Sequence, residues 1–397
     1  MKCVVFFVPG VRAFSNSVLH SQVFEQVRVL ASLGLECHFL GSDISSAICN
    51  DKANKFTHEY GFSSFKVFPY YPLDPSYNSL QRTYECMLDE LPVLDSLSPD
   101  VVYIRDLLLA EKVLKNAKPR AWKLLYDCRG AVSAEARGRT GNDIVGFIKS
   151  MILQGKEKYV FKNADLLACV SEGLKEWIFK QSGRTDTTVI PCCTNHNIFK
   201  SDPGVRVAVR EELGWPLDIP IVAYVGGADY WQRGNEVINL LAKVQQALPE
   251  LKLLILTGAE GEFTRLVMEA GINIDNVFIK KVSHSEVPYY LQIADAGIIL
   301  RHDILLNQVA SPIKVVEYMA LGLCVIASNG IGDFSGLIKK FDAGLILDEP
   351  LDSEQLLKLL RNGIKLNACG ERARELSKNY SWESVKKTYK SLYGIRA

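Results

Sequence analysis

The feature that most constrains the fold is a repeated alternation of short apolar runs with longer helical patterns. The chain opens with an uninterrupted apolar run at Cys3–Val8, which Pro9 and Gly10 end. A run without polar alternation is typical of a strand that is buried on both faces. Helical spacing of apolar residues follows over Val18–Leu33, and then a second run at Cys37–Leu40. This order predicts parallel strands joined by a helical crossover.

The alternation occurs twice along the chain. Further strands are predicted in the first half at Phe65–Phe68, Val101–Ile104, Lys123–Tyr126, Leu166–Val170 and Thr188–Ile190. Helices are predicted among them at Leu80–Leu94, Leu107–Asn116, Ile144–Asn163 and Leu174–Gln181. After an irregular segment at 191–203, a second series predicts strands at Ile221–Val225, Leu253–Leu256, Val277–Ile279, Ala296–Leu300, Cys324–Ala327 and Ala343–Leu347. The sequence therefore predicts an α/β protein with two Rossmann-like, doubly wound domains.

Length and composition limit the class of protein. A chain of 397 residues with 48% hydrophobic content is long enough for more than one core, and a net charge of +1 gives no global attraction to nucleic acid. The ten cysteines include no C-x-x-C pair, which favours reduced and mostly buried thiols. The first apolar run is too short for a signal peptide, and no apolar stretch reaches the length of about 18 residues expected of a membrane span. We therefore expect a cytoplasmic protein.

The stretch Ala310–Ala327 combines a helix start, a helix stop and a strand. Ser311 is predicted as the N-cap, Pro312 as the first helical residue and Gly322 as the stop. Lys314 then falls in the first turn, where the helix dipole disfavours a cation unless an anion binds beside it. This position predicts an anion site at the helix start.

Glu317 lies three residues beyond Lys314, about 4.5 Å along the axis and on the same face of the helix. The spacing suits a nucleotide whose diphosphate meets the helix start while Glu317 accepts hydrogen bonds from the ribose hydroxyls. The alternative is an exposed Lys314–Glu317 pair on an ordinary helix.

The motif S-P-x-K-x-x-E-Y-M-A-x-G-x-x-V-I, which begins at Ser311, resembles the nucleotide-sugar motif of retaining glycosyltransferases of the GT-B fold, specifically glycosyltransferase family 4. The resemblance implies two Rossmann-like domains facing across a cleft, at 1–195 and 196–380, and a C-terminal helix at 381–397 that crosses back to the first domain. It also implies that Glu317 holds the donor ribose, that Lys314 contacts the diphosphate and that Ser311 lines the donor site.

The chain departs from this family at Val309, where many members have a second acidic residue that touches the donor sugar. Asn307, Gln308 and Ser311 are the candidates to replace it. The identity of the donor sugar therefore stays open.

Two further segments of the second half gain a role from the resemblance. Gly227 follows a predicted strand and Arg233 precedes a helix. The resemblance implies that both contact the donor diphosphate. The segment Lys281–Val287 resembles the family segment that borders the nucleotide base, so backbone groups of Val282 are expected at the base edge. His284 is interpreted as a helix-start residue and not as a catalyst.

In the first half, Asp127-Cys128-Arg129-Gly130 follows a predicted strand and resembles a D-x-R-G pattern of some family members. The resemblance implies catalytic roles for Asp127 and Arg129, and Glu135 matches an acidic residue a few positions later. A structural ion pair between Asp127 and Arg129 is the alternative.

The resemblance implies a glycosyltransferase that moves a sugar from a nucleotide-diphosphate donor to a saccharide or lipid-linked acceptor with retention, in cell-surface polysaccharide or glycoconjugate synthesis. Arg233 and Lys314 would stabilise the leaving diphosphate, so no cofactor and no metal are expected, and the sequence contains no D-x-D motif. Two alternatives stay open: a non-catalytic GT-B subunit that binds a nucleotide or a partner, and a sugar-nucleotide epimerase.

One region carries an excess of positive charge. Between Val101 and Lys180 there are 15 Lys/Arg against 9 Asp/Glu, an excess of +6. Four lysines, 149, 156, 158 and 162, fall on the helix predicted at Ile144–Asn163, which also contains the apolar residues Ile148, Met151, Ile152, Val160 and Phe161. Because a basic amphipathic helix binds anionic lipid, an anionic membrane surface is expected as a partner. The alternative is that these apolar residues pack on the sheet.

Overall fold

Two parallel β-sheets organise the part of the chain that the structure describes. The structure is a computed structural model, and it describes residues 3–9, 18–43, 57–69, 85, 87–116, 119–140, 144–228 and 230–395. The chain divides into two units: Met1–Pro191 together with Trp382–Ala397, and Cys192–Ser381. The predicted α/β class with two Rossmann-like sheets is confirmed.

The first unit contains a parallel sheet of seven strands in the order β3-β2-β1-β4-β5-β6-β7. The strands are β1 (Cys3–Val8), β2 (Glu36–Asp43), β3 (Ser64–Pro69), β4 (Val101–Ile104), β5 (Lys123–Cys128), β6 (Leu166–Cys169) and β7 (Thr188–Val189). Every residue of β1 is buried, as its apolar run predicts. Because the order reverses between β1 and β4, the carboxyl ends of the central strands mark the place where doubly wound sheets bind ligands.

Helices cover this first sheet. A π-helical turn at Leu19–Phe24 continues as α1 (Glu25–Ser32), followed by α2 (Leu91–Ser96), α3 (Leu107–Asn116), α4 (Val132–Thr140), α5 (Ile144–Asn163) and α6 (Glu172–Ser182). The helix predicted at Leu80–Leu94 lies partly outside the described residues, at 80–84 and 86. Among the helices described in either unit, none is both long enough and apolar enough to cross a bilayer.

The second unit contains a parallel sheet of six strands in the order β10-β9-β8-β11-β12-β13. Its strands are β8 (Ile221–Val225), β9 (Lys252–Leu256), β10 (Val277–Lys280), β11 (Ala296–Ile299), β12 (Cys324–Ser328) and β13 (Gly344–Leu347). Successive side chains point to opposite faces of a strand, so Ile221 and Ala223 join one core cluster and Val222 and Tyr224 join the other. The sheet is therefore buried on both faces.

The helices of the second unit alternate with these strands. They are α7 (Pro203–Glu212), α8 (Gly234–Ala247), α9 (Glu260–Glu269), α10 (Val287–Leu291), α11 (Leu305–Gln308), α12 (Ile313–Leu321), α13 (Phe334–Lys340), α14 (Ser353–Leu360) and α15 (Gly363–Ser377), with a 3₁₀ turn at Tyr230–Gln232 before α8.

The chain ends within the first unit. Its last helix, α16, runs from Lys386 to Leu392, five residues later than the start predicted at Ser381. The expectation was wrong because Ser381 forms a parallel bridge with Thr194 and so extends the second unit instead of opening the helix. Tyr389 and Tyr393 are buried and anchor this end of the chain.

Candidate functional site

The carboxyl edge of the second sheet is organised around the start of α12. Pro312, and not Ser311, occupies the N-cap position, with φ −70° and ψ 116°. The predicted N-cap was wrong because the Ser311 hydroxyl accepts the backbone N–H of Cys192 at 3.1 Å and is therefore used elsewhere in the same unit. Gly322 ends the helix as predicted, with a left-handed φ of 77°.

Glu317 is buried on α12, with 3% of its surface exposed. Its Oε1 lies 2.9 Å from Nε2 of His284, in the loop that follows β10. The ring of His284 in turn lies against Phe199, with 5.7 Å between the ring centres. A buried carboxylate is stable only when hydrogen bonds or charge compensate its lost hydration, so this contact fixes the position of Glu317. The alternative of an exposed surface pair with Lys314 does not describe it.

Lys314 and Gly227 are brought together by a residue that the sequence analysis did not consider. The side-chain oxygen of Gln232 lies 3.4 Å from Nζ of Lys314 and accepts the backbone N–H of Gly227 at 3.3 Å. A Cβ atom at Gly226 would approach this oxygen to 2.6 Å and the Tyr224 hydroxyl to 2.7 Å, so a larger residue there would have to displace these side chains. A lysine cation, a glycine turn and the start of a helix therefore meet at one place on the sheet edge.

Tyr318 ties α12 to the central strands. Its hydroxyl accepts the backbone N–H of Val225 at 2.9 Å and donates to the carbonyl of Ile298 at 3.4 Å. A Cβ atom at Gly297 would collide with the Tyr318 ring. Burial raises the pKa of Tyr318, so the hydroxyl keeps its proton. The sequence motif contains this tyrosine, but only the strand order reveals its partners.

Arg233 stands at the start of α8 with a positive φ of 51° and is 8% exposed. Its guanidinium pairs with Glu236, at 3.3 Å from Nε, and with Glu349, the residue that follows β13 by two positions. It also donates to the carbonyl of Arg301 at 3.4 Å. Arg233 is therefore held by two carboxylates, through Nε and Nη1 of its guanidinium. Sequence reasoning gave no signal for Glu349, which lies 116 positions away.

Val309 occupies the position where the family resemblance leads us to expect an acidic residue. Val309 is 2% exposed and so lies in the core. The residues predicted to replace an acid there are engaged elsewhere: the amide of Asn307 donates to the carbonyl of His302 at 2.8 Å, and that of Gln308 donates to Asp303 at 2.9 Å. Asp303, after β11, is an acidic residue at this edge that the sequence analysis missed.

Val282 is half-buried after β10 and packs against the core cluster beneath α12. The loop that contains Val282 is held at the following residue, Ser283. Glu286 accepts the Ser283 backbone N–H at 2.9 Å and the Ser283 hydroxyl at 2.6 Å. The backbone of the segment is therefore held close to Glu317 through its neighbour His284.

In the first unit, Asp127 and Arg129 lie at the carboxyl end of β5. Asp127 is buried, and its Oδ2 accepts the hydroxyl of Tyr103. The same oxygen lies 3.2 Å from Nε of Arg129. Arg129 also donates to the carbonyl of Ile190 at 3.3 Å. Burial raises the pKa of Tyr103, and the adjacent charge of Asp127 raises it further. The pair is a compact ionic group at the ligand edge of its own sheet.

Potential metal ligands are dispersed over the part of the chain that the structure describes. Among those residues, no group of three or more His, Cys, Asp or Glu side chains is arranged to hold a metal ion. The eight cysteines that fall within the described ranges are free thiols.

The second unit is similar to a known protein family. Residues 206–380 match the family model described as "Glycosyl transferases group 1". The matched residues all lie within the second unit. Two curated relatives, both D-inositol 3-phosphate glycosyltransferases, are 26% identical over 252 residues (Corynebacterium efficiens; 60% of this chain, 58% of that protein) and 23% identical over 246 residues (Xylanimonas cellulosilytica; 58% and 57%). The chain thus spans roughly half to three fifths of the length of the curated relatives that it matches.

Solved structures resemble this protein over almost the whole chain. Sucrose-phosphate synthase from Thermosynechococcus elongatus has a TM-score of 0.75 at 17% identity, with 99% of this chain and 98% of that chain covered. Anabaena HepE in complex with UDP and glucose has a TM-score of 0.74 at 12% identity, with both chains covered completely. At such low identities the likeness shows the fold, which is GT-B.

Proposed function

We propose that this protein is a glycosyltransferase that transfers a sugar from a nucleotide-diphosphate donor to a saccharide or lipid-linked acceptor. The observation that carries the proposal is the buried carboxylate of Glu317, oriented by His284 at 2.9 Å and placed one turn from the Lys314 cation. A ribose presents two adjacent hydroxyl donors, and a fixed carboxylate is the side chain best suited to accept both.

The comparisons support the same donor class. The group 1 match covers the unit that contains Glu317, Lys314 and Arg233. One protein of similar fold is described in complex with UDP and glucose, and another with UDP-glucose. We assign the ribose to Glu317, the base edge to the backbone of Val282, and the diphosphate to Lys314, Gly227 and the start of α12, beside Ser311.

The leaving group determines the chemistry. As the bond between the anomeric carbon and the diphosphate oxygen breaks, its electron pair passes to the phosphate, so cations fixed there favour the transition state. Lys314 and Arg233 would supply this charge, which makes a metal ion or other cofactor unnecessary. The acceptor oxygen bonds to the anomeric carbon on the face that the diphosphate leaves, and its proton passes to the departing phosphate. This course retains the anomeric configuration.

We assign Asp127 and Arg129 to the acceptor half of the reaction. They lie at the ligand edge of the first sheet, and Arg129 has a planar guanidinium suited to a phosphate or carboxylate. A purely structural ion pair is the competing role, favoured by the burial of Asp127 and by its contact with Tyr103.

A second candidate is a nucleotide-binding subunit without transferase activity. The observation that favours it is the buried Val309, which replaces the acidic residue of many family members. A sugar-nucleotide epimerase is a third reading, and it predicts interconversion of two sugars without an acceptor.

Incubation with a panel of nucleotide sugars, with and without saccharide and lipid-linked acceptors, tests these candidates. We expect nucleotide release from one donor, accelerated by an acceptor, with a product of retained anomeric configuration by NMR. Glu317→Ala should weaken donor binding or turnover about 10- to 150-fold, because a hydrogen bond to a charged group contributes about 1.5–3 kcal/mol. The exposed Glu262→Ala serves as the matched control. Nucleotide binding without release supports the subunit, and an inverted product excludes the retaining mechanism.

We also propose that the protein works at the cytoplasmic face of a membrane, in the synthesis of a cell-surface polysaccharide or glycoconjugate. The excess of +6 charges between Val101 and Lys180 supports this location, since anionic lipids attract cationic surfaces.

A further inference from the structure

We infer that one face of α5 is a docking surface for an anionic lipid bilayer. This inference rests on the proposed location at a membrane but not on the identity of the donor or acceptor. The face, called here the α5 apolar face, consists of Ile144, Val145, Phe147, Ile148, Met151 and Ile152. These six side chains are 49–77% exposed.

The α5 apolar face is one continuous surface. At about 100° per residue, its six positions fall within an arc of about 160° around the helix axis. The opposite side holds the helix in place: Leu153, Val160 and Phe161 are buried, and the ring of Phe161 lies 5.7 Å from that of Trp177. The Ser150 hydroxyl also donates to the Ser133 carbonyl at 2.8 Å. The helix therefore cannot turn its exposed side into the core.

The sequence left two expectations for the apolar residues of α5, namely contact with a membrane and packing within the protein. The structure shows both exposed and buried residues among them. Val160 and Phe161 pack inside the unit, whereas Ile148, Met151 and Ile152 do not. Contiguous exposed apolar surface of this kind is typical of a binding site.

Charge selects the kind of partner. The helix carries four lysines and one acid, and that acid, Glu157, has no exposed surface. Lys149, Lys158 and Lys162 are exposed, whereas Lys156 pairs with Glu111 of α3. All of the charge that α5 presents to solvent is therefore positive. Arg137 of α4 adds to it, with its guanidinium 5.7 Å from the centre of the Phe147 ring.

This combination favours a lipid surface over a second copy of the chain. Two copies joined through the α5 apolar face would bring the lysines of both helices together, and like charges oppose such contact. Anionic headgroups instead complement the lysines while the apolar side chains enter the acyl region. The face extends about 12 Å along the axis, far less than the roughly 30 Å of a bilayer core, so α5 would lie in the plane of the interface.

Cosedimentation of the full-length protein with vesicles tests the inference. We expect binding to vesicles of phosphatidylcholine with phosphatidylglycerol, weak binding to phosphatidylcholine alone, and loss of binding in high salt. The double variant Ile148→Ser/Met151→Ser should reduce the affinity for the anionic vesicles at least tenfold. The matched control is Ile364→Ser, because Ile364 is 86% exposed but belongs to the second unit. The control should bind like the wild type.

Several outcomes would overturn the inference. Wild-type protein that fails to bind anionic vesicles would do so, as would a double variant that binds normally. Gel filtration provides a further test, since a wild-type dimer that the double variant converts to a monomer would identify the face as a contact between copies. Nucleotide release with a water-soluble acceptor is measured in parallel. If release is normal while vesicle binding is absent, the docking surface is wrong and the proposed transferase stands; the reverse result leaves the docking surface intact.

Discussion

The helices α12 and α5 are both rich in apolar residues, yet their surroundings differ. In α12, every residue from Val315 to Leu321 is buried, and the helix lies against β11, β12 and α15. In α5, one side packs against α3, α4 and α6, and the other side exposes the α5 apolar face. The difference shows that position relative to the sheet, and not the composition of a helix, decides whether its apolar surface joins the core or stays available for a partner.

Each of the two helices also contains one buried acid, and the two acids are satisfied differently. Glu317 of α12 contacts His284 at 2.9 Å. Glu157 of α5 accepts the backbone N–H of Ser133 at 3.2 Å through one oxygen, while its Oε2 is buried without a hydrogen bond from any described residue. Burial raises the pKa of Glu157 to about 7. A buried acid thus contacts a histidine on one helix and titrates near neutrality on the other.

The largest effect on stability is expected from Met319→Ala in α12. Met319 has no exposed surface, so the substitution leaves a cavity and should lower the free energy of unfolding by about 2–5 kcal/mol. Urea unfolding followed by circular dichroism measures the change. A loss below about 1 kcal/mol would show that α12 is not packed as closely as its burial indicates.

Next in size is the pH dependence that Glu157 gives to α5. Its pKa of about 7 in the folded protein lies above the ordinary value of 4.5. The unfolded chain therefore releases this proton first, and the free energy of unfolding should fall as the pH rises from about 4.5 to 7, then level off. The fall is about 3 kcal/mol.

Glu157→Gln should remove this dependence, measured as thermal unfolding across the pH range for variant and wild type. Glu172→Gln, at an exposed acid of the first unit, is the matched control. Parallel curves for wild type and Glu157→Gln between pH 4.5 and pH 8 would contradict the assignment.

A smaller effect is expected from Tyr318→Phe, which keeps the ring over Gly297 and removes the hydroxyl. The Val225 N–H would lose its acceptor at 2.9 Å, which should cost about 1–3 kcal/mol. Tyr159→Phe in α5 is the control, since its ring is only half-buried. Equal unfolding midpoints for the two variants would remove the special role of the Tyr318 hydroxyl.

The smallest effect is expected from Met151→Ala in the α5 apolar face. Because Met151 is 57% exposed, the free energy of unfolding of the Met151→Ala variant should stay within about 0.5 kcal/mol of the wild-type value. The same measurement as for Met319→Ala gives a matched pair of methionines. A destabilisation comparable to that of Met319→Ala would mean that α5 is covered in solution, and the contrast between the helices would fail.

Much of the fold could be predicted from local pattern. The apolar runs placed the strands of both sheets within three residues of their observed ends, because strands buried on both faces interrupt the polar sequence sharply. The helix end at Gly322 was equally local, since it depends on one residue that tolerates a positive φ.

The rest depended on contacts between distant segments. Ser311 failed as an N-cap because its hydroxyl is used by Cys192, 119 positions away. The partners of Arg233 and the hydroxyl contacts of Tyr318 could not be inferred either, since they require knowing which strands are neighbours. For α5, the periodicity that identified the helix was the same whether its apolar residues were buried or exposed, so only the structure could divide them.

The contact of Tyr318 with Gly297 has a consequence for how this protein can change over generations. The ring occupies the space that a side chain at position 297 would need. The two positions can therefore be exchanged only together: a larger residue at 297 requires a smaller one at 318, and that second change would release the end of β8 from its hydroxyl anchor. A larger residue at position 297 alone, or loss of the aromatic residue at 318 alone, should therefore yield little folded protein. In a library randomised at both positions, glycine at 297 with an aromatic residue at 318 should be the most frequent folded pair.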